Sequence, residues 1–539
     1  MTPLRPLLRG ARLERLVPLK LSPLTPRAFI STAPIYRNVA HLLHFMPLQP
    51  IPGIKIDGFI RSIRAQKKHH FVALGDGSSL DPIQAVIPSD QAEGLTIGAA
   101  VRLHGSWVPS RGQGQTHELR VERATVLGPS DSKTYPIQNK YQTPDYLRTL
   151  PHLRSRVPFN TTVLRLRSDV MAALTEYFKK RRFIQTHTPI LTSSDCEGAG
   201  EVFHVSARDP DAPPTPSASK TKRFFRRPVY TTVSAQLHLE ALSQSLGNVW
   251  TLSPTFRAEQ SDTPRHLSEF YMLEAEMAFA DSMDSVMDLV EDMLRYVSNS
   301  LIGNNATLSR PGIQGQFFSE LFRERDEHDG KHLTKPEIVN KRWEGLLQRK
   351  WPRITYTHAI EILKQAKKRF NYEPVWGREL RTEHEKYIAA EVGGRKTPVF
   401  VTHYPRDIKA FYMKASDGDA SVPGATVDCF DLLVPDFCEI AGGSMREHRL
   451  ENLRDSMRAR GIPLPETPSS FLNGTSEPSS SPQQPSENDL GWYLDLRRWG
   501  CPPHGGFGLG FDRLICYLTG VQTIHDTAAF PRWYGRCDC

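Results

Sequence analysis

The segment FRAEQSDTPRHLSEFYMLEAE, Phe256 to Glu276, constrains the fold more than any other part of the chain. It reads as two strands joined by a polar turn, each with charge on one face. Alternate residues of a strand share a face. Arg257 and Glu259 therefore point the same way, and so do Phe270, Glu274 and Glu276. Charges on a hairpin among apolar strands are costly unless they are paired or serve a ligand. An arginine that meets a phosphate, a glutamate that accepts from an exocyclic amine and a ring that stacks on a base would together hold ATP.

Two further stretches suit the same ligand. GGFGLGFDRL, Gly505 to Leu514, carries glycines that permit close backbone approach, and Arg513 falls in the helix expected after them. Its spacing is not that of a Rossmann fingerprint. DLLVPDFCEIAGGSMREHR places Asp431 and Glu439 on either side of a short turn, two carboxylates suited to Mg²⁺. Leu432, Leu433, Val434 and Ile440 surround these acids and argue against a solvated charge cluster.

The order Phe-Arg-Ala-Glu, a polar loop, then Arg-His-Leu-Ser-Glu-Phe resembles motif 2 of the class II aminoacyl-tRNA synthetases. GGFGLGFDRL resembles their motif 3. An amphipathic helix with Leu166, Val170, Ala173, Leu174, Tyr177 and Phe178 on one face, followed by FIQTHTPIL with Pro189, resembles motif 1, which builds a homodimer interface. From about Ile51 to Gly128, five short alternating segments separated by Gly-containing turns fit an OB-fold. That unit, with the RHLSEF form of motif 2, narrows the resemblance to the subclass for Asp, Asn and Lys. The implied fold class is α+β: an N-terminal OB-fold β-barrel followed by a class II antiparallel β-sheet domain flanked by helices.

The resemblance implies roles residue by residue. Arg257 would hold the α-phosphate, Glu259 the adenine amine, and Phe270 would stack on adenine. Arg265, His266 and Arg513 would hold the outer phosphates, with Gly508 and Gly510 allowing their approach. Asp431 and Glu439 would carry Mg²⁺; Arg257, Arg513 and Glu439 are the expected catalytic groups. Glu197, in SDCEGAGE, and Gln236, in SAQLHLE, would meet the amino-acid ammonium group, and Arg446 its side chain. In the barrel, Phe71 would stack on an anticodon base beside Gln84; Lys67, Lys68, His69 and His70 flank this aromatic.

The phrases SDCEGAGEVF, LGNVWTLSPTFRAE, TEHEKY, KAFYM, DLLVP and WYLDLRR resemble the asparaginyl branch of the subclass. Aspartyl members place a lysine three residues after the glutamine matching Gln236; this chain has Leu239. A substrate carboxylate would lack its counter-ion there, whereas a carboxamide could donate to Glu274 and accept from Arg446. The implied substrates are asparagine, ATP and tRNA(Asn). An aspartyl or nondiscriminating enzyme and a non-catalytic RNA-binding paralogue are the alternative readings. Gly442 stands where some relatives carry a serine.

Residues 1–35 read as a mitochondrial targeting peptide, addressed to the matrix. They hold Arg5, Arg9, Arg12, Arg15, Lys20 and Arg27 against Glu14 alone. Removal near Phe29 would take six bases and one acid and lower the formal charge from +9 to about +4. The expected domains are 50–130 for the barrel, 131–158 for a hinge and 159–539 for the catalytic unit. Surface insertions are expected near 206–227, 301–350 and 461–489, the last of low complexity. No apolar run approaches the roughly 18 residues that cross a bilayer, so no membrane partner is expected. The seven cysteines lack the paired spacing of a zinc site.

Overall fold

The computed structural model describes residues 38–112, 114–138, 140–194, 201–207, 224–225, 227–306, 332–418, 423–464 and 490–539. The first unit is a closed five-stranded barrel. Its strands are β1 (Ile51–Ala65), β2 (His69–Gly75), β3 (Ile83–Pro88), β4 (Ala100–Pro109) and β5 (His117–Gly128), joined in the order β1-β2-β3-β5-β4. Alternation fills its interior, most regularly along β3: Ile83, Ala85 and Ile87 are buried, while Gln84 and Val86 face outward. At Gly105, β4 meets β5 so closely that a Cβ would stand 2.0 Å from the Arg120 carbonyl oxygen. The unit begins earlier than the sequence pattern predicts. A helix at Val39–His44 seals the barrel with Val39 and Leu42, both wholly buried.

Residues 131–158 hold two short helices, Pro144–Arg148 and Pro151–Arg154. Arg148 clasps Asp526 through Nε and Nη2 at 2.9 and 3.0 Å, and Arg154 donates to the His525 carbonyl. The connector is thereby fastened to the end of the catalytic unit.

The catalytic unit adds β6 (Ile184–Gln185), β7 (Leu191–Thr192), β8 (Tyr230–Thr231), β9 (Val249–Phe256), β10 (Glu269–Ala278), β11 (Arg353–Thr355), β12 (Val399–Thr402), β13 (Cys429–Val434), β14 (Cys438–Met445) and β15 (His504–Gly510). Eight of these form one sheet, β11-β12-β13-β14-β15-β10-β9-β6, antiparallel except at its two ends. One face is covered by apolar helices. The helix Pro158–Lys180 buries the predicted stripe Leu166, Val170, Ala173, Leu174, Tyr177 and Phe178.

Three expectations change. The hairpin at Phe256–Glu276 has strands ending at Phe256 and starting at Glu269, so Arg257 and Glu259 sit on the connecting loop; Pro264, with no N–H, cannot extend the ladder. FIQTHTPIL forms two separate two-residue strands around Pro189. The stretch 301–350 is not wholly a surface insertion. The helix Met283–Ala306 runs into it, and the helix Pro336–Leu347 packs Val339, Trp343 and Leu346 at i, i+4 and i+7 into the main core.

Candidate active site

Strand register builds the site. Glu274 on β10, Gly508 on β15, Gly442 on β14 and Asp431 on β13 are successive partners across four strands. With strands about 4.8 Å apart, the two acids stand roughly 14 Å from each other on one face. The two glycines between them leave a floor without side chains. In the next row Gly506 pairs with Glu276, and a Cβ there would lie 2.1 Å from Glu276 Oε2. The glycine run of β15 therefore makes room for a carboxylate as well as for a ligand.

A cleft of about 210 Å³ opens over this floor. Of the residues singled out from sequence, Gln236, Arg257, Glu274, Asp431, Glu439, Arg446 and Gly508 line it, together with Leu239. At the loop end, Arg257 lies over the Phe270 ring, 5.6 Å from its centre, and 4.0 Å from Glu259. Glu259 in turn meets His266 Nε2 at 3.2 Å. Arg265 crosses to the β13–β14 turn, where it donates to Cys438 Sγ at 3.2 Å. Arg513, three residues after Gly510, donates to the Glu439 carbonyl at 3.1 Å and lies 3.7 Å from its carboxylate. Arg257 and Glu439 thus line this half of the cleft, Arg513 stands against Glu439, and His266 and Arg265 lie beyond them on the connecting loop.

The acids Asp431 and Glu439 converge over Gly442: a Cβ there would lie 3.3 Å from Asp431 Oδ1 and 3.5 Å from Glu439 Oε1. The missing side chain leaves a cradle between two hard oxygen donors, which fits Mg²⁺. Among the described residues no set of three His, Cys, Asp or Glu groups is arranged to hold a metal. Asp431 is also the partner of Lys409, whose Nζ donates to both carboxylate oxygens at 2.9 and 2.7 Å. Burial raises the Asp431 carboxyl, which Lys409 opposes and Glu439 reinforces. Nearby, burial and the charges of Glu439 and Asp431 push Glu385 up to about 7.

The other half of the cleft rests on charges that the sequence reading missed. Glu240 is fully buried and accepts from Gln236 Nε2 at 3.0 Å, Tyr493 OH at 2.7 Å and Arg497 Nη2 at 2.6 Å, with His504 Nε2 at 3.1 Å. Burial raises the Glu240 carboxyl, but Arg497 and His504 outweigh it and hold it well below the usual range. Burial lowers His504, yet its contacts with Cys501 and Glu240 hold it up to about 10, so the ring is charged at neutral pH. Beside this cluster Arg446 pairs with Glu276 at 3.0 Å and donates to the Ser444 hydroxyl. Glu274 accepts from the Ala235 N–H at 2.9 Å and from the Ser234 hydroxyl, which fixes its orientation. An uncompensated charge here would cost about 3–5 kcal/mol, so the partners hold one another in place. The i, i+4 spacing of Gln236 and Glu240 was a readable sign; Arg497 and His504 lie too far along the chain to be assigned.

Phe71 and Gln84 lie apart from the cleft, on the outer face of the barrel. Phe71 is half-buried on β2 beneath Arg64, whose guanidinium stands 5.2 Å from the ring centre. Glu197 lies outside the described residues.

This barrel-plus-sheet fold and a glycine-floored cleft edged by Arg257, Arg513 and two acids define a class II synthetase. Residues 144–534 match the model of the tRNA synthetases class II (D, K and N), and residues 54–127 match the OB-fold nucleic acid binding domain. The chain belongs to the first of these families. Its relatives there include the mitochondrial asparagine--tRNA ligase of Saccharomyces cerevisiae, 42% identical over 92% of this chain and 94% of that one. The mitochondrial asparagine--tRNA ligase of Schizosaccharomyces pombe is 40% identical over 89% of this chain and 94% of its own length. Among solved structures, the asparaginyl-tRNA synthetase of Pyrococcus horikoshii complexed with asparaginyl-adenylate superposes with a TM-score of 0.71. It is 26% identical and covers 91% of this chain and 96% of that chain.

Proposed function

We propose that this enzyme ligates asparagine to tRNA(Asn) in mitochondria, with ATP as co-substrate and AMP as product. The observation that carries the reading is the row Glu274–Gly508–Gly442–Asp431, flanked on one side by Arg257 and Arg513 and on the other by the closed Glu276–Arg446 pair. In the first step the asparagine α-carboxylate attacks the α-phosphorus of ATP, and pyrophosphate leaves. In the second the terminal 3′-hydroxyl of the tRNA attacks the acyl carbon, and AMP leaves. No protein nucleophile is required; catalysis is positioning and charge stabilisation. Arg257 holds the α-phosphate, Arg265, His266 and Arg513 the outer phosphates, Glu259 and Phe270 the adenine. Gln236 orients the ammonium group, and Glu274 and Arg446 the carboxamide. Asp431 and Glu439 would hold Mg²⁺, which offsets phosphate charge when bound. The test is aminoacylation of mitochondrial tRNA with labelled asparagine and aspartate in parallel, with charging expected from asparagine. A non-catalytic paralogue is disfavoured by the joint presence of Arg257, Glu439 and Arg513 around one cleft.

The matrix address rests on the basic, acid-poor residues 1–35. Fused to a fluorescent passenger, they are expected to carry it into mitochondria; a cytosolic passenger would remove the address and leave the chemistry untouched. A homodimer is supported by Ile184, Ile190 and Leu191, which are 43–44% exposed in the segment resembling motif 1. Its mass in solution tests this, and a monomer at working concentrations would refute it.

The barrel is proposed to read the anticodon. Phe71 faces outward, away from the core formed by Val72 and Leu74, and a stacked base is worth about 1–3 kcal/mol. Phe71→Ala is expected to weaken tRNA charging by about tenfold or more. Asparagine-dependent pyrophosphate exchange should stay unchanged, because it needs only the sheet domain. Equal loss of both reactions would mean that Phe71 supports the barrel instead.

A further inference from the structure

Lys409 occupies a place that neither the motif pattern nor the reaction accounts for. It follows a short 3₁₀ turn, Arg406–Ile408, and its backbone carbonyl accepts from Arg460. Its side chain is four-fifths buried, with the ammonium 4.1 Å from the centre of the Tyr404 ring. Both Nζ contacts go to Asp431, one to each oxygen, at 2.9 and 2.7 Å. Asp431 is also one of the two acids that converge over the Gly442 cradle. Glu439, the other, has Arg513 at 3.7 Å.

A divalent cation needs ionised oxygens whose lone pairs it can reach. An ammonium group bridging both oxygens of Asp431 takes part of that capacity and adds a positive charge beside the cradle. Glu439 cannot restore the balance alone, since Arg513 already faces it. A nucleotide can, because its phosphates bring negative charge and oxygen ligands of their own.

We propose that Lys409 is a built-in counter-ion that keeps the Asp431–Glu439 cradle from taking up a divalent cation until nucleotide is present. The inference rests on the reading that these two acids hold Mg²⁺. It makes Lys409 a positioning residue: it holds Asp431 in place between turnovers and makes metal entry depend on ATP. In this arrangement Asp431 need not stay an uncompensated buried charge when the cleft is empty.

The test is Mn²⁺ binding to the full chain, read by electron paramagnetic resonance, with and without a non-hydrolysable ATP analogue. Without nucleotide, Lys409→Met is expected to bind Mn²⁺ at least about tenfold more tightly than the unaltered protein. Lys409→Gln, whose amide can still donate to Asp431, should show the same direction and guards against loss of folding in the first variant. Lys409→Met combined with Asp431→Asn removes both charges and should abolish the gain. With the analogue present, the unaltered protein should bind Mn²⁺ beyond what the free analogue binds. Nucleotide-free affinity unchanged in both single variants, or a gain that survives Asp431→Asn, would overturn the counter-ion role. If the analogue promotes no added Mn²⁺ binding to the unaltered protein, the metal reading fails and the proposal falls with it.

Discussion

Arg257→Ala is expected to lower asparagine-dependent pyrophosphate exchange by about 10²–10³-fold, and Arg513→Ala by a comparable factor. The two arginines border the same cleft from different elements, one on the loop after β9 and one on the helix after β15. Neither is sealed in the core: their side chains keep 28% and 34% of their exposure. Phe270, beneath Arg257, packs against the core independently of that arginine. Truncation should therefore leave the fold intact, which a thermal melt checks. In the proposed roles both groups meet charge that develops on phosphate in the transition state, so the loss should fall on kcat as well as on KM. A folded Arg257→Ala protein with normal exchange would refute its placement on the α-phosphate.

The barrel and the long amphipathic helix were legible because each follows one short-range rule. Alternation marks β1 to β5, and a 3.6-residue stripe marks Pro158–Lys180. The residues proposed for the phosphates could be picked out because they lie in short motifs, and the fold brings Arg257, Glu439 and Arg513 to one cleft. What could not be read depends on partners hundreds of residues apart. Glu240 meets Arg497 and His504 only when β15 and the helix Gly491–Arg498 close against Gln236–Leu246. Lys409 was visible within KAFYM, but nothing local tied it to Asp431. The helix Pro336–Leu347 was obscured for a different reason: its stripe of Val339, Trp343 and Leu346 sits in a stretch read as an insertion. Register supplied the last piece. The row of Glu274, Gly508, Gly442 and Asp431 joins three separate motifs, and no single strand reveals which residues of its neighbours lie opposite.

Activation of asparagine should exceed that of aspartate by at least about a hundredfold, or roughly 3 kcal/mol. Beneath the end of the cleft proposed for the amino acid, Arg446, Arg497 and charged His504 stand against Glu240, Glu274 and Glu276. Counted formally, these charges balance three against three before any substrate enters; burial raises the Glu276 carboxyl, and Arg446 opposes that. Arg446 has already spent its charge on Glu276, and three of its N–H groups are taken by Glu276 and Ser444. The two N–H groups that remain in its inventory suit a neutral carboxamide oxygen. A β-carboxylate would add an unmatched negative charge close to Glu274, whose position is fixed by Ser234 and Ala235. Leu239, 1% exposed on the cleft wall, offers no compensating cation. Leu239→Lys supplies one, and it is expected to narrow the preference by raising aspartate exchange and lowering asparagine exchange. Pyrophosphate exchange with each amino acid, in the unaltered protein and in Leu239→Lys, reads both effects. Comparable rates for asparagine and aspartate in the unaltered protein would sink the asparagine assignment, because the balanced charge set would then be indifferent to the one charge that distinguishes the two substrates.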